Sequence, residues 1–141
     1  MKHRIYVASS WKNKHHDALV EELRVRGHSV YDYRNPGIFK PFMWSQVDTE
    51  WEKMSSKGHI ETLTNSPLCQ HGFIKDFMAM KWADTCILIE PSGRSSHLEA
   101  GYFAGANKTL LVYLAEPIAP ELMLKMANKI VSEKQELFNL L

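Results

Sequence analysis

Two stretches of this chain, Thr85-Cys86-Ile87-Leu88-Ile89 and Thr109-Leu110-Leu111-Val112-Tyr113-Leu114, are apolar at almost every position. A strand with one face in water alternates polar and apolar residues, and these two do not. Such strands are buried on both faces, which happens where helices cover both sides of a parallel sheet. Two further segments read as strands, Arg4-Ile5-Tyr6-Val7-Ala8 and His28-Ser29-Val30-Tyr31-Asp32, and a short fifth lies near Ile130. Between them the apolar spacing turns helical. Residues 14 to 26 carry Ala18, Leu19, Leu23 and Val25 and close at Gly27. Proline and glycine break the chain from Asn35 through Pro41. Helices are then predicted over 44 to 56, with Trp44, Val47, Trp51 and Met54 on one side, over 59 to 65, and from Pro67 to about Ala83. Three more follow: Leu98 to Ala106, Pro120 to about Asn128, and a last one from about Ser132.

This order of elements predicts a single α/β domain over residues 1–141. With right-handed crossovers it becomes a flavodoxin-like doubly wound parallel sheet of about five strands, order 2-1-3-4-5, with helices on both faces. Strands one and three then flank the switch point of the sheet, where ligands of open α/β folds bind. The loop after strand one, Ser9-Ser10-Trp11-Lys12-Asn13, faces the loop Pro91 to Glu99 across one crevice. The first loop caps the next helix through Ser or Asn, or holds a sugar or phosphate through Ser9 or Ser10.

The second loop, Pro91-Ser92-Gly93-Arg94-Ser95-Ser96-His97-Leu98-Glu99-Ala100-Gly101, joins a buried strand to an Ala- and Gly-rich helix. It presents backbone N–H groups and the polar side chains of Arg94, Ser95, Ser96 and His97 at a helix N-terminus, and Gly93 allows close approach of a ligand. The spacing Ser96-x-x-Glu99 fits a capping box, so Glu99 either caps the helix or does chemistry. The loop is not a Walker or dinucleotide fingerprint.

Tyr6 in strand one, Asp76 on the helix before strand three, Ala83-Asp84 opening that strand, Glu99-Ala100-Gly101-Tyr102 and Gly105-Ala106-Asn107-Lys108-Thr109 together resemble the nucleoside 2-deoxyribosyltransferase family. The resemblance runs along most of the chain and is sharpest over residues 84 to 113. It implies an enzyme that cleaves the N-glycosidic bond of a nucleoside or nucleoside monophosphate, passing the sugar to another base or to water. Glu99 would be the nucleophile, Asp76 the acid that handles the leaving base, and Tyr6 a neighbour of the nucleophile. Substrate contacts would come from Ser9, Ser10 and Trp11 and from Gly93, Arg94, Ser95, Ser96 and His97. The Ser- and Arg-rich loop suits an anion such as phosphate. A TIR-like NAD hydrolase, which also uses one glutamate on a similar sheet, and a nucleotide-binding module without chemistry are the alternatives.

The 141 residues carry a net charge of +1 with mixed signs, which speaks against a nucleic-acid polymer or a membrane surface as partner. No apolar run nears the roughly 18 residues of a membrane span. Met1-Lys2-His3-Arg4 leads directly into a strand, and Cys69 and Cys86 lie in different kinds of element, so cytoplasmic residence is expected. His15 and His16 read as surface residues without metal spacing, so neither a metal nor a cofactor is expected. Asp84 reads as structural. The aromatic segment 36 to 58, with Phe39, Phe42, Met43, Trp44 and Trp51, reads as a packed amphipathic helix or a lid. The family resemblance also implies a homodimer or higher homo-oligomer.

Overall fold

A computed structural model describes residues 1–141. The chain divides into two compact units, residues 1–32 with 80–141, and residues 33–79.

The first unit is built on five parallel strands: β1 (Arg4–Ala8), β2 (Ser29–Tyr31), β3 (Thr85–Glu90), β4 (Thr109–Leu114) and β5 (Lys129–Val131). Their order is β2-β1-β3-β4-β5, the doubly wound order predicted from the element pattern. The register places Tyr6 beside Cys86 and beside Tyr31, and Glu90 beside Leu114. Alternation along the strands separates two cores. On one face Ile5, Val7, Ile87, Ile89, Leu111 and Tyr113 pack with Leu19, Val20 and Leu23 of α1 (His16–Val25) and Leu137 of α6 (Lys134–Asn139). On the other, Tyr6 meets Phe103 of α5 (Arg94–Gly105) at 5.8 Å between ring centres. β3 is buried at all six positions, as its unbroken apolar run requires.

Gly27 stands at φ +90° just past the end of α1, a backbone angle that favours glycine. At the other end of β3, Asp84 accepts hydrogen bonds from the Arg4 N–H at 2.9 Å and the Thr85 hydroxyl at 2.7 Å, with His3 Nδ1 at 3.3 Å. Burial pushes its carboxyl up, but the Arg4, Thr85 and His3 bonds outweigh that and hold it below its ordinary value. The structural reading of Asp84 therefore stands. A carboxyl lowered on folding adds stability above its unfolded value, about pH 4, and loses it as pH falls through the lower folded value. Urea melts of wild type and Asp84→Asn should show a wild-type advantage at pH 7 that shrinks below about pH 4.

The second unit holds α2 (Trp44–Val47), a 3-10 turn at Trp51–Lys53, α3 (Ser56–Asn65) and most of α4 (Pro67–Trp82). The single helix predicted over 44 to 56 is two short pieces. Asp48 is extended (φ −153°, ψ 122°) and its side chain accepts from the Glu50 N–H at 2.9 Å, a local bond that competes with helix continuation. The Trp44/Val47/Trp51 stripe is therefore not one face: Trp44 meets Phe42 and His59 edge-on, while Trp51 is exposed. In the first unit, the helix predicted from Pro120 is only a 3-10 turn, Leu122–Met126. Leu122 and Met123 are exposed, and Asn128 bonds to Leu110 of β4 in both directions, drawing the chain into β5.

Candidate active site

The predicted helix start at Leu98 needs correction, and the correction bears on Glu99. β3 runs to Glu90 and α5 begins at Arg94, with Gly93 as its cap residue. Ser96 is thus inside the first turn, and Glu99 lies in the second. A capping box requires the acid at the third helical position, so Glu99 has no capping role. Its carboxylate Oε2 instead accepts a hydrogen bond from the Tyr6 hydroxyl, reaching from α5 to β1.

Tyr6 is fully buried, with its ring 5.5 Å from Tyr31 and 5.8 Å from Phe103. Those two contacts fix the ring, so only its hydroxyl end is left to orient the carboxylate. Beside it, burial pushes the Cys86 thiol well above its usual value, and the charge of Glu99 pushes the same way. A thiol held neutral offers neither a competing nucleophile nor a counter-charge to the carboxylate.

The two crevice loops are tied together by their own polar groups. The Gly93 N–H donates to Ser10 Oγ at 2.6 Å, and the Ser10 N–H donates to Ser92 Oγ at 3.0 Å. Asn13 Nδ2 donates to the carbonyls of Ile89 (3.1 Å) and Pro91 (3.0 Å), while its Oδ1 accepts from the His15 N–H at 2.8 Å. A Cβ on Gly93 would stand 3.3 Å from Ser10 Oγ, so this glycine serves the close approach of one loop to the other. Trp11, Arg94 and Ser95 are exposed, and Ser96 is buried.

No protein-family model and no curated protein matches this sequence. Among solved structures, the 2-deoxyribosyltransferase of the psychrotolerant bacterium Bacillus psychrosaccharolyticus superposes with a TM-score of 0.70, covering 99% of this chain and 91% of that one at 19% identity. This chain has the 2-deoxyribosyltransferase fold. Within that fold, Tyr6 and Glu99 are brought into direct contact, and Ser10 and Gly93 are joined to each other.

His97 takes a different place. Its Nδ1 donates to the Gly93 carbonyl at 2.6 Å, and its Nε2 lies 3.1 Å from Oε1 of Glu90, a residue only 3% exposed. Residues 97 and 99 sit about 200° apart around a helix, so His97 reaches the end of β3 while Glu99 reaches β1. Burial pushes the Glu90 carboxyl up, and His97 pulls it back down. Glu90 Oε1 and His97 Nε2 are both buried and face each other without a well-formed hydrogen bond. Asp76 lies on α4 in the second unit, half-buried.

His16 departs furthest from its predicted surface position. It is the first residue of α1 and fully buried, bonded to Ser9 and to Asp32. His15 is half-buried, with Nε2 2.7 Å from Glu116. Donor atoms of His16, Asp17 and Asp32 lie within 4.8 Å of one another, close enough to hold a cation. A mostly apolar groove of about 920 Å³, lined by Leu114, Ile118, Leu122 and Ile130 among others, contains none of the predicted site residues. Asn13, His16, Asp32 and Glu90 are the polar residues that sequence reasoning passed over as site builders. Asp32 follows β2 and Glu90 ends β3, so these two are polar at a strand end, whereas Asn13 and His16 carry no such local signal.

Proposed function

We propose that this chain is an enzyme that cleaves the N-glycosidic bond of a nucleoside or nucleoside monophosphate, with Glu99 as nucleophile. The observation that carries the proposal is the Tyr6–Glu99 hydrogen bond at the switch point of the sheet. A half-buried glutamate that caps nothing, oriented by a buried tyrosine, is a poor structural choice and a good chemical one. The solved structure of the same fold is named a 2-deoxyribosyltransferase, which supports the same substrate class.

In this reading a Glu99 oxygen attacks the anomeric carbon as the bond to the base nitrogen breaks, giving a glycosyl ester. The base leaves with the bonding electrons and takes a proton from Asp76. A second base, or water, then attacks the same carbon and releases Glu99. Tyr6 holds the carboxylate in line and stabilises its charge between turnovers.

Tyr6→Phe keeps the buried ring and removes only the hydroxyl. A hydrogen bond to a charged group contributes about 1.5–3 kcal/mol, so kcat should fall roughly 10- to 150-fold. KM should change little, since the hydroxyl touches the nucleophile and not the base. Product chromatography with ribo- and deoxyribonucleosides, their monophosphates and NAD tests the proposal. A second free base is added in half the reactions. Exchange of bases marks a transferase, and free sugar marks a hydrolase. Nicotinamide released from NAD alone would move the substrate class, and no base from any compound would contradict the proposal.

A further inference from the structure

Glu90 and His97 form a buried contact that the Glu99 chemistry leaves unused. Glu90 ends β3, and His97 is the fourth residue of α5. Glu90 Oε1 and His97 Nε2 lie 3.1 Å apart, and neither atom has a hydrogen-bond partner. The turn around them is otherwise bonded. The Ile89 carbonyl accepts from Ser92 Oγ at 2.6 Å, and the Gly93 carbonyl accepts from His97 Nδ1 at 2.6 Å. A buried pair left open in such a turn calls for an explanation.

A carbonyl only accepts, so the Nδ1 that meets Gly93 carries a hydrogen. The ring hydrogen that comes and goes with pH is then the one on Nε2, the atom facing Glu90. With one hydrogen between the two groups, on the ring or on the carboxyl, they attract. With none, a carboxylate oxygen meets a ring lone pair in a buried site, and they repel. The other charged group acting on Glu90 is Glu121, an acid that adds to the repulsion.

Side chains alternate along a strand, so Glu90 lies on the same sheet face as Cys86 and Leu88. On that face α5 packs, with Phe103 against Tyr6. His97 and Glu99 leave α5 on opposite flanks, one toward the end of β3 and the other toward Tyr6 of β1. Two contacts on opposite flanks fix the roll of a helix on its sheet. Release of one frees the other to swing.

We propose that Glu90 and His97 are positioning residues that form a proton-dependent latch on the head of α5. The latch is closed while the pair holds one hydrogen and opens when that hydrogen is lost as pH rises. Opening lets α5 roll and takes Glu99 out of line with Tyr6. This rests on the Glu99 reading of the site. Burial pushes the Glu90 carboxyl up, His97 pulls it down and Glu121 pushes it up again, leaving it above its ordinary value. A carboxyl raised on folding favours the fold at low pH and loses that contribution as pH rises through the folded value, the direction in which the latch opens.

The test is the pH profile of base release, from about pH 6 to about pH 9, in wild type and Glu90→Gln. A glutamine amide donates to the Nε2 lone pair and its oxygen accepts from a protonated ring, so His97 has a partner in both states. Wild-type kcat should fall about tenfold over the alkaline part of the range, with KM changing less, and Glu90→Gln should lose that fall. A merely structural pair would change the Tm and leave the shape of the profile alone. Two measurements on wild type stand beside it. Nitrogen-15 NMR of the His97 ring and carbon-13 NMR of the Glu90 carboxyl follow the hydrogen of the pair. Amide exchange follows Gly93 and His97, whose N–H groups donate to Ser10 Oγ and the Gly93 carbonyl. Protection of both amides should drop in step with loss of the hydrogen, while Nδ1 stays protonated. Protection that holds through the titration, or an alkaline fall retained in folded Glu90→Gln, overturns the latch and leaves the Glu99 reading intact. No base release by wild type, with titration and protection loss both present, overturns the Glu99 reading and supports the latch.

Discussion

Glu99→Gln should keep its fold and lose at least about 10⁴-fold in turnover, the scale seen when a covalent nucleophile is removed from a preorganised site. The two halves of that result come from one observation. Glu99 is in the second turn of α5, clear of the cap, and its carboxylate is held by Tyr6. Glutamine retains an oxygen that can accept from the tyrosine, so the thermal stability should stay within about 1 kcal/mol of wild type. The amide cannot form a glycosyl ester, so the chemistry stops. A scan of thermal denaturation beside base release measures both. A large drop in stability with partial activity would return Glu99 to a structural role.

The largest effect on stability is expected at a residue that touches no reacting atom. Asn13 is 4% exposed and joins three backbone groups: the carbonyls of Ile89 and Pro91 through Nδ2, and the His15 N–H through Oδ1. Each such bond contributes about 0.5–1.5 kcal/mol net, and a buried group left unpaired costs about 1–3 kcal/mol. Asn13→Ala should therefore destabilise the protein by about 3 kcal/mol, roughly 10 °C in Tm for a chain of this size. Asn13→Asp is the sharper variant, because it keeps the acceptor for His15 but sets a carboxylate against two carbonyl oxygens. At neutral pH it should be at least as destabilising as alanine. If both variants melt with wild type, the loops after β1 and β3 are not held together by this side chain.

What was legible in the sequence follows from what is local. Strands β3 and β4 announce themselves because burial on both faces demands unbroken apolar runs, and the order of strands and helices then leads to the β2-β1-β3-β4-β5 sheet. The crevice between the loops after β1 and β3 follows from that order alone. The start of α5 was not legible, because its cap residue Gly93 is satisfied by Ser10, eighty-three residues earlier in the chain. Read locally, Ser96 and Glu99 make a good capping box. Read with the fold, they are simply the third and sixth residues of a helix.

The histidines show the same limit from the other side. His16 has no apolar or metal-binding pattern around it in sequence, and its two partners come from the ends of two different strands. The Trp44 and Trp51 stripe failed for a shorter-range reason. Asp48 turns the chain between them through its own side chain, which a hydrophobic repeat does not register. The roles of Glu99 and Tyr6 entered through the resemblance to the nucleoside 2-deoxyribosyltransferases. The structure adds the contact between them, which sequence spacing across ninety-three residues does not contain.

The measurement that tests the central claim most directly is a mass map of the protein quenched in acid during turnover of a deoxynucleoside. The account predicts one deoxyribosyl group esterified to the peptide that contains Glu99, absent from Glu99→Gln and discharged when a free base is added. Base release at the wild-type rate by Glu99→Gln, or a deoxyribosyl ester on another acid such as Asp76, would contradict it.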